Sequence, residues 1–369
     1  MRAPTLSDLR HHAIASSLFA ETTLGRAIGK LGFVQADPIR SPARAQDLIL
    51  RHRVTGYRVG DLDRSYRTLN LEEDYLYAYG FMPVRTWQLL HPRGRRPLTR
   101  GEQKVLDIVS NQKRLHPREL EKHLGKGREV NAWGGYSKST TRTLEKLHYL
   151  GLLRIAGREN GIRIYERTTI THTPMDPAER LQRLVMLIAT ILTPLPESSL
   201  RAAIGFLRHA APDLGGRKGA VTSLLQSGAL QSALADGVRY VWPAGRLHRR
   251  EPRDVVRFLA PFDPLVWDRR RFEHFWGWPY RFEAYTPPAK RKLGYYALPL
   301  LWRADVIGWV NVLGRGGELT IEPGFVSGQP PVEKAFQNAF EIEAGRMRYF
   351  LSAHVPSSDG ASAPALLQH

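Results

Sequence analysis

The stretch Ser137-Lys138-Ser139-Thr140-Thr141-Arg142-Thr143-Leu144-Glu145-Lys146-Leu147-His148-Tyr149-Leu150-Gly151-Leu152-Leu153-Arg154-Ile155-Ala156-Gly157-Arg158-Glu159-Asn160-Gly161-Ile162-Arg163-Ile164-Tyr165 decides the fold class. From Ser137 on, Thr141, Leu144, Leu147 and Leu150 recur at helical spacing, and Gly151 ends the helix. Leu152–Ala156 and Ile162–Tyr165 then read as two strands around the turn Gly157–Gly161, which predicts a β-hairpin. Upstream, Thr99 caps a helix running to about Lys113, with Val105, Leu106, Ile108 and Val109 apolar. Pro117 opens a second helix carrying Leu120 and Leu124, stopped by Gly125 and Gly127. Three helices followed by a hairpin is the winged-helix arrangement, whose third helix would lie in a DNA major groove.

The same pattern recurs at 178–243 without close sequence repetition. Helices are expected at 178–193, 197–209 and 216–227. Strands Ala229–Ala235 and Val238–Trp242 flank Asp236-Gly237, a type I′ turn signal. Before the first unit, residues 4–19, 22–31 and 43–54 read as helices and Phe33–Ile39 as a strand. From 251 on, strand-like runs at Val255–Leu259, Tyr280–Tyr285, Leu293–Leu300, Asp305–Leu313 and Glu318–Ile321 predict a small antiparallel β-barrel. A helix is expected at 331–348. The α+β chain thus divides into an N-terminal helical or winged-helix unit (1–97), two winged helices (98–170 and 171–250), a barrel-like domain with a C-terminal helix (251–350) and a Ser-, Ala- and Pro-rich disordered tail (351–369).

Lys and Arg number 54 against 35 Asp and Glu, a net charge of +19. That balance points to an anionic partner, nucleic acid first. There is no cysteine, so disulfides, cysteine-ligated metal and a thiol nucleophile are excluded. The 13 histidines show no ligand spacing, and no metal or other cofactor is expected. No phosphate-binding P-loop and no serine nucleophile elbow occurs. The N-terminus has no signal-peptide core, and the most apolar stretch, Leu184–Leu192, is too short to span a bilayer. A cytoplasmic, nucleoid-associated protein without a membrane partner is expected.

The candidate chemistry lies in Leu31-Gly32-Phe33-Val34-Gln35-Ala36-Asp37-Pro38-Ile39. In an extended chain Gln35 and Asp37 share a face, because side chains alternate along a strand. A carboxylate beside an amide can orient a water and stabilise an oxocarbenium-like transition state, as N-glycosidic hydrolysis requires. An N7- or N3-alkylated purine already carries positive charge, so its departure needs no strong general acid. Asp37 would act as base or electrostatic partner, and Gln35 would orient water or sugar. The competing reading makes Asp37 the Asp of an Asp-Pro turn or a helix cap.

Basic clusters supply the expected DNA contacts. They include Arg93, Arg95, Arg96 and Arg100 between units; Lys113, Arg114 and Arg118; Arg246, Arg249, Arg250 and Arg253; Arg269, Arg270 and Arg271; and Lys290, Arg291 and Lys292. The residues singled out for phosphate contact are Arg40, Arg44, Arg51, Arg95, Arg96, Lys138, Arg142, Arg269, Arg270, Lys290 and Arg291.

Val34-Gln35-Ala36-Asp37 resembles the Gln-apolar-Asp variant of the motif in AlkZ-like DNA glycosylases. Leu259-Ala260-Pro261-Phe262-Asp263-Pro264-Leu265-Val266-Trp267-Asp268-Arg269-Arg270-Arg271 is similar to a second signature of that family. So are Tyr280, Glu283, Tyr285, and Lys290-Arg291 ahead of Gly294-Tyr295-Tyr296-Ala297-Leu298-Pro299. The resemblance covers most of 25–313. It implies tandem winged helices and a β-barrel folded into a C-shape around duplex DNA. It also implies monofunctional excision of bulky or crosslinked N-alkylpurines without a cofactor, with Gln35 and Asp37 as the catalytic pair. The chain departs from the family where His-His usually follows an Arg: Arg44 precedes Ala45-Gln46-Asp47. Tyr77 stands where a His is common, and Gly308-Trp309-Val310-Asn311 replaces Gly-Arg-Val-Asp. The expected function is therefore repair of alkylated double-stranded DNA by a monomeric glycosylase. The rival is a winged-helix DNA-binding protein or transcriptional regulator without catalysis. The two differ in whether Asp37 lies in a concave basic groove or on the outer surface.

Overall fold

The computed structural model describes residues 3–94, 96–124, 128–130, 136–159, 161–171, 174–245, 247–248, 253–315 and 318–352, with only the backbone for 128–130, 136–138, 315 and 318. Arg95, Arg246, Arg249, Arg250 and the tail from 353 lie outside the described residues, as does the side chain of Lys138. The structure is mixed α+β, built on several small antiparallel sheets.

Helices Leu6–Ser17 and Leu24–Leu31 form close to expectation. Thr5 starts the first with a capping box: its hydroxyl accepts the Asp8 N–H while the Asp8 carboxylate accepts the Thr5 N–H. The expected strand Phe33–Ile39 shrinks to Val34–Gln35, and the helix expected over 43–54 shrinks to Ala45–Leu50. Val34 and Gln35 pair with Phe81 and Gly80 in the strand Tyr79–Pro83, which is the middle of a three-stranded sheet. Gly80 is required there, because a Cβ would lie 2.3 Å from the Val34 carbonyl oxygen and 2.6 Å from the Phe33 ring. The Ala36 N–H still donates to the Tyr79 carbonyl at 2.9 Å. Beyond it the ladder ends at Pro38, which has no N–H to offer.

The third strand of that sheet, Leu71–Tyr75, buries Glu72, Glu73 and Asp74 in succession. Each carboxylate meets an arginine: Arg154 at 2.6 Å from Glu72, Arg158 at 2.5 Å from Glu73, and Arg93 at 2.8 Å from Asp74. His91 holds the other Asp74 oxygen at 2.8 Å. Arg93 also donates to the carbonyls of Tyr75, Tyr149 and Ala210. It therefore fastens the N-terminal sheet to both helix–hairpin units, and it is 2% exposed. Its place in a phosphate-contact cluster is corrected: this guanidinium is inside.

Within 98–170 the helices are Arg100–Gln112, Pro117–Leu124 and Ser139–Tyr149, followed by strands Leu153–Glu159 and Ile162–Arg167. Arg114–Leu115 adds a third strand beside Ile162–Arg167. The third helix starts two residues later than expected, because Tyr136–Lys138 pairs with Arg128–Val130. The hairpin turn is also tighter, since Glu159 stands opposite Ile162. In 178–243 the helices Pro177–Ile191, Glu197–Gly205 and Arg217–Gln226 and the strands Leu230–Ala235 and Val238–Pro243 follow the expected pattern. Asp236 and Gly237 both take positive φ, as a type I′ turn demands.

The C-terminal part differs most. Val256–Phe258, Leu298–Trp302, Asp305–Arg315 and Glu318–Phe325 form an open four-stranded sheet, so the barrel expectation is corrected. The edge strand cannot recruit another neighbour at Phe258, whose N–H donates at 3.0 Å to the Glu343 carboxylate of helix Lys334–Leu351. That helix covers the edge, with Phe340 5.4 Å from the Phe258 ring. Tyr280–Tyr285 is not a strand. Tyr280 donates its hydroxyl to the Ala297 carbonyl, and the Glu283 carboxylate collects the N–H groups of Lys292, Leu293 and Gly294, which holds 283–294 as a loop. Two short helices, Pro264–Trp267 and Arg269–Trp276, were not expected; Asp263 and Asp268 cap them. The apolar cores run across these parts. One joins Val34 and Phe81 to Leu144, Ile155, Phe258 and Met347, and another joins Phe33, Tyr77 and Trp87 to Leu184, Ile188 and Val241. Among the described residues no helix is long and apolar enough to cross a membrane.

Candidate active site

Asp37 lies just past the strand end, on the wall of a cavity of about 560 Å³. Arg40, Arg44 and Gln46 border it from the same segment, Thr141 and Glu145 from helix Ser139–Tyr149, and Arg158 and Arg163 from the hairpin. Asp37 is half-buried. Its Oδ1 accepts the Ile39 N–H at 2.9 Å, and its own N–H donates to Gln46 Oε1 at 3.4 Å. Burial pushes its carboxyl pKa above the ordinary 3.8, against the pull of the Ile39 hydrogen bond. Its charge also reaches the C-terminal loop. Burial and then the Asp37 carboxylate raise the phenols of Tyr285 and Tyr296. Tyr285 is 80% exposed, the most exposed aromatic of that loop.

Gln35 is not on this wall. The strand stops at Gln35, so the alternation that would align it with Asp37 does not extend that far. Its Oε1 is buried and has no hydrogen-bond partner among the described residues. Tyr296 Oη is buried and unpartnered in the same way.

Four arginines surround the cavity, and three are engaged. Arg44 pairs with Asp63 at 2.7 Å, Arg158 grips Glu73 through both terminal nitrogens, and Arg163 stacks over Tyr79 at 4.5 Å. Arg40 is exposed, lies beside the hairpin tip at Gly161 and has no ion pair among the described residues. Sequence reasoning missed Tyr79, Glu145, Arg158 and Arg163. Only the pairing of Tyr79–Pro83 with Val34–Gln35 and the docking of the hairpin bring them here.

The other expected contact residues separate by environment. Arg51 is 5% exposed and bonded to Glu343 at 2.9 Å, so its assignment to DNA is corrected: it is a buried ion pair. Arg269 is likewise turned inward, donating to the Val266 and Pro261 carbonyls beneath the Tyr280 ring. Arg270 and Lys290 are exposed, and Arg142 is half-buried. Arg96 is exposed and paired with Glu102 at 2.7 Å. Arg291 donates to the Thr286 carbonyl and lies over the Tyr295 ring.

The positions of family departure also have structural roles. Gln46 borders the cavity beside Asp37. Asp47 is 3% exposed and turned away, accepting from Tyr57 Oη at 2.7 Å and Gly60 N at 3.1 Å. Tyr77 is buried edge-on between Phe33 and Trp267. Trp309 packs on Gly324, and Asn311 donates to the Leu293 carbonyl at 2.8 Å.

Among the described residues no group of three His, Asp or Glu side chains could hold a metal ion. No solved structure matches the chain. A family model described as DNA glycosylase AlkZ-like matches residues 28–350, most of the chain and all of the cavity. With the half-buried Asp37 carboxylate on an arginine-lined cavity and that match over its length, this chain belongs to the AlkZ-like DNA glycosylase family.

Proposed function

We propose that this protein is a monofunctional glycosylase that hydrolyses the N-glycosidic bond of N7- or N3-alkylated purines, including bulky or crosslinked ones, in duplex DNA. The observation that carries the reading is the half-buried Asp37 carboxylate on a concave wall ringed by arginine. A non-catalytic regulator has no use for a partly desolvated carboxylate in its anion-binding groove, where it repels phosphate.

The chemistry follows from charge. The C1′–N bond breaks as a water oxygen bonds to C1′. The bonding pair neutralises the cationic base, and the water proton passes to Asp37. Negative charge beside C1′ stabilises the oxocarbenium character of the transition state. A carboxyl raised by burial is also a stronger base than a solvated one. Gln35 Oε1 is buried without a partner, so a part for it in orienting the water or sugar requires that substrate binding uncover it. The reading calls for no cofactor and one copy of the chain. The helix–hairpin units at 98–170 and 178–243 act in it as winged helices, with Arg40, Arg142, Arg270 and Lys290 as phosphate contacts.

Incubating the protein with a duplex carrying one N7-alkylguanine and scoring abasic sites tests the reading. Failure to release any alkylated purine sinks it. Binding should fall steeply with salt, as phosphate contacts release counterions. Arg40→Ala should weaken binding to all sequences and reduce the log–log salt slope by about 1; an unchanged slope removes Arg40 from the interface. Tyr285→Ala, with little core to lose, should leave folding intact and reduce affinity for damaged duplex by about 1–3 kcal/mol if its ring stacks on a base. Equal affinity for both proteins rules that contact out.

A further inference from the structure

A second cavity, of about 500 Å³, opens between the C-terminal end of helix Leu6–Ser17, the His52 turn and the edge of the C-terminal sheet. It shares no lining residue with the Asp37 cavity. Part of its wall, residues 11–21, precedes the segment matched by the family. Its apolar side is Ile14, Leu18, Phe19 and Leu301; its polar side is His52 and the arginines 253, 257 and 303.

The arginines are not equivalent. Arg303 is satisfied by Asp254 at 2.6 Å and Glu333 at 2.9 Å. Arg253 and Arg257 have no carboxylate partner among the described residues, and Arg257 donates only to the Val256 carbonyl at 3.2 Å. Arg257 is partly buried, and burial pulls its pKa down, with Glu343 opposing. Burial of the Arg257 guanidinium is only partly offset by the more distant carboxylates of Glu343 and Glu21, which favours an added anion beside it. Glu21, also on the wall, is turned to Arg346.

His52 also borders the cavity. It is 2% exposed, and its Nε2 lies 2.9 Å from the Phe258 carbonyl and 3.0 Å from Arg51 Nη1. Its Nδ1 is buried and has no partner. Burial first, then the neighbouring Arg51 and Arg257, keep the ring neutral. The Phe258 carbonyl can only accept, so its 2.9 Å contact places the ring proton on Nε2 and leaves Nδ1 a buried acceptor, unable to hold an anion.

The geometry points to a binding site for a small organic anion, a carboxylate on an apolar body. Its two oxygens would take the Arg257 and Arg253 guanidinium groups, while its body covers Leu18, Phe19 and Leu301. The volume is in the range of small-molecule sites. An apolar wall distinguishes the site from a groove for a DNA phosphodiester, which carries no apolar body.

Octanoate titrated into the full-length protein by calorimetry tests this. Saturable binding is expected with Kd of about 1 mM or tighter, and at least about tenfold tighter than inorganic phosphate, since burying a methylene is worth about 0.8 kcal/mol. Arg257→Gln should weaken it at least about tenfold, the loss of one charge-assisted contact, while duplex affinity stays unchanged. Exposed Arg253→Gln, which cannot unfold the chain, should weaken it less and carries the test should Arg257→Gln not fold. Absence of saturable octanoate binding overturns the proposal, as does equal binding by the variants or phosphate binding as tightly as octanoate. A loss of duplex affinity and of salt slope in either variant assigns the arginines to DNA and overturns it as well.

Discussion

Asp37→Asn should lower base excision by about 10²-fold or more, the usual size of one general-base or electrostatic contribution, while the protein folds at least as well as the parent. Asparagine keeps the shape and can still accept the Ile39 N–H at Oδ1, so the turn is retained. It removes the charge that stabilises the oxocarbenium ion and the group that takes the water proton. The stability half has a definite sign. The folded-state carboxyl pKa is raised above its ordinary 3.8, so the folded chain binds that proton more tightly than the unfolded chain. Stability from this group is therefore full at low pH and declines as pH rises through that window. At neutral pH the charged Asp37 works against folding, and Asn relieves it. Duplex affinity should hold or rise as a charge near phosphate is lost. Gln35→Ala should slow excision less, because one orienting hydrogen bond is worth less than a charge. The pH–rate profile adds a separate check: excision should fail on the acid side at a pH above that of a solvated aspartate. Full excision by Asp37→Asn refutes the assignment. Asp47, buried against Tyr57 and Gly60, is no substitute; Asp47→Asn should reduce stability and leave turnover per folded molecule intact.

The parts of this molecule legible in the sequence are those whose signals are local. The repeated helix–hairpin pattern was readable because each helix carries its own apolar spacing, and Asp236-Gly237 names its own turn type. The family was readable because the Val34–Asp37 and Leu259–Arg271 motifs are contiguous. The strand Leu71–Tyr75 was not readable. Its core is Glu72-Glu73-Asp74, a sequence that argues for solvent, and it is buried only because arginines at 93, 154 and 158 arrive from elsewhere. The same limit hid half the candidate site. Arg158 and Arg163 look like ordinary strand residues until the hairpin docks beside Asp37. Gln35 was misjudged for a simpler reason: a two-residue strand cannot carry alternation as far as Asp37. The barrel failed because a strand edge can be satisfied by a carboxylate and a helix, which strand-like runs do not reveal. Basic clusters were the least reliable guide, since Arg51, Arg93, Arg269 and Arg271 turn out to bind the protein's own carboxylates and carbonyls.

That inward use of arginine sets the second large effect. Asp263→Ala should destabilise the protein by about 3–5 kcal/mol, the loss expected when one partner of a buried ion pair is removed and the other stays behind. Arg53 and Asp263 are both fully buried, and the carboxylate takes two nitrogens of the guanidinium at 2.8 and 3.1 Å. Arg53 also donates to the Ser17 carbonyl and hydroxyl and to the Ile49 carbonyl, tying the first helix and Ala45–Leu50 to the C-terminal part. Asp263 Oδ1 accepts the Leu265 N–H as well, so the same substitution uncaps helix Pro264–Trp267. Within the Leu259–Arg271 motif Asp263 is thus part of a clamp between distant segments, and it does not touch the Asp37 cavity. Urea unfolding of Asp263→Ala should show a lower midpoint, and excision per folded molecule should stay near the parent value. Arg53→Met combined with Asp263→Leu should recover part of the loss, since no charge is then left unpaired in the interior. A shift in Asp263→Ala below about 1 kcal/mol, the size of an exposed pair, rules out the clamp. A double variant no better than the single assigns the loss to Arg53's carbonyl bonds instead.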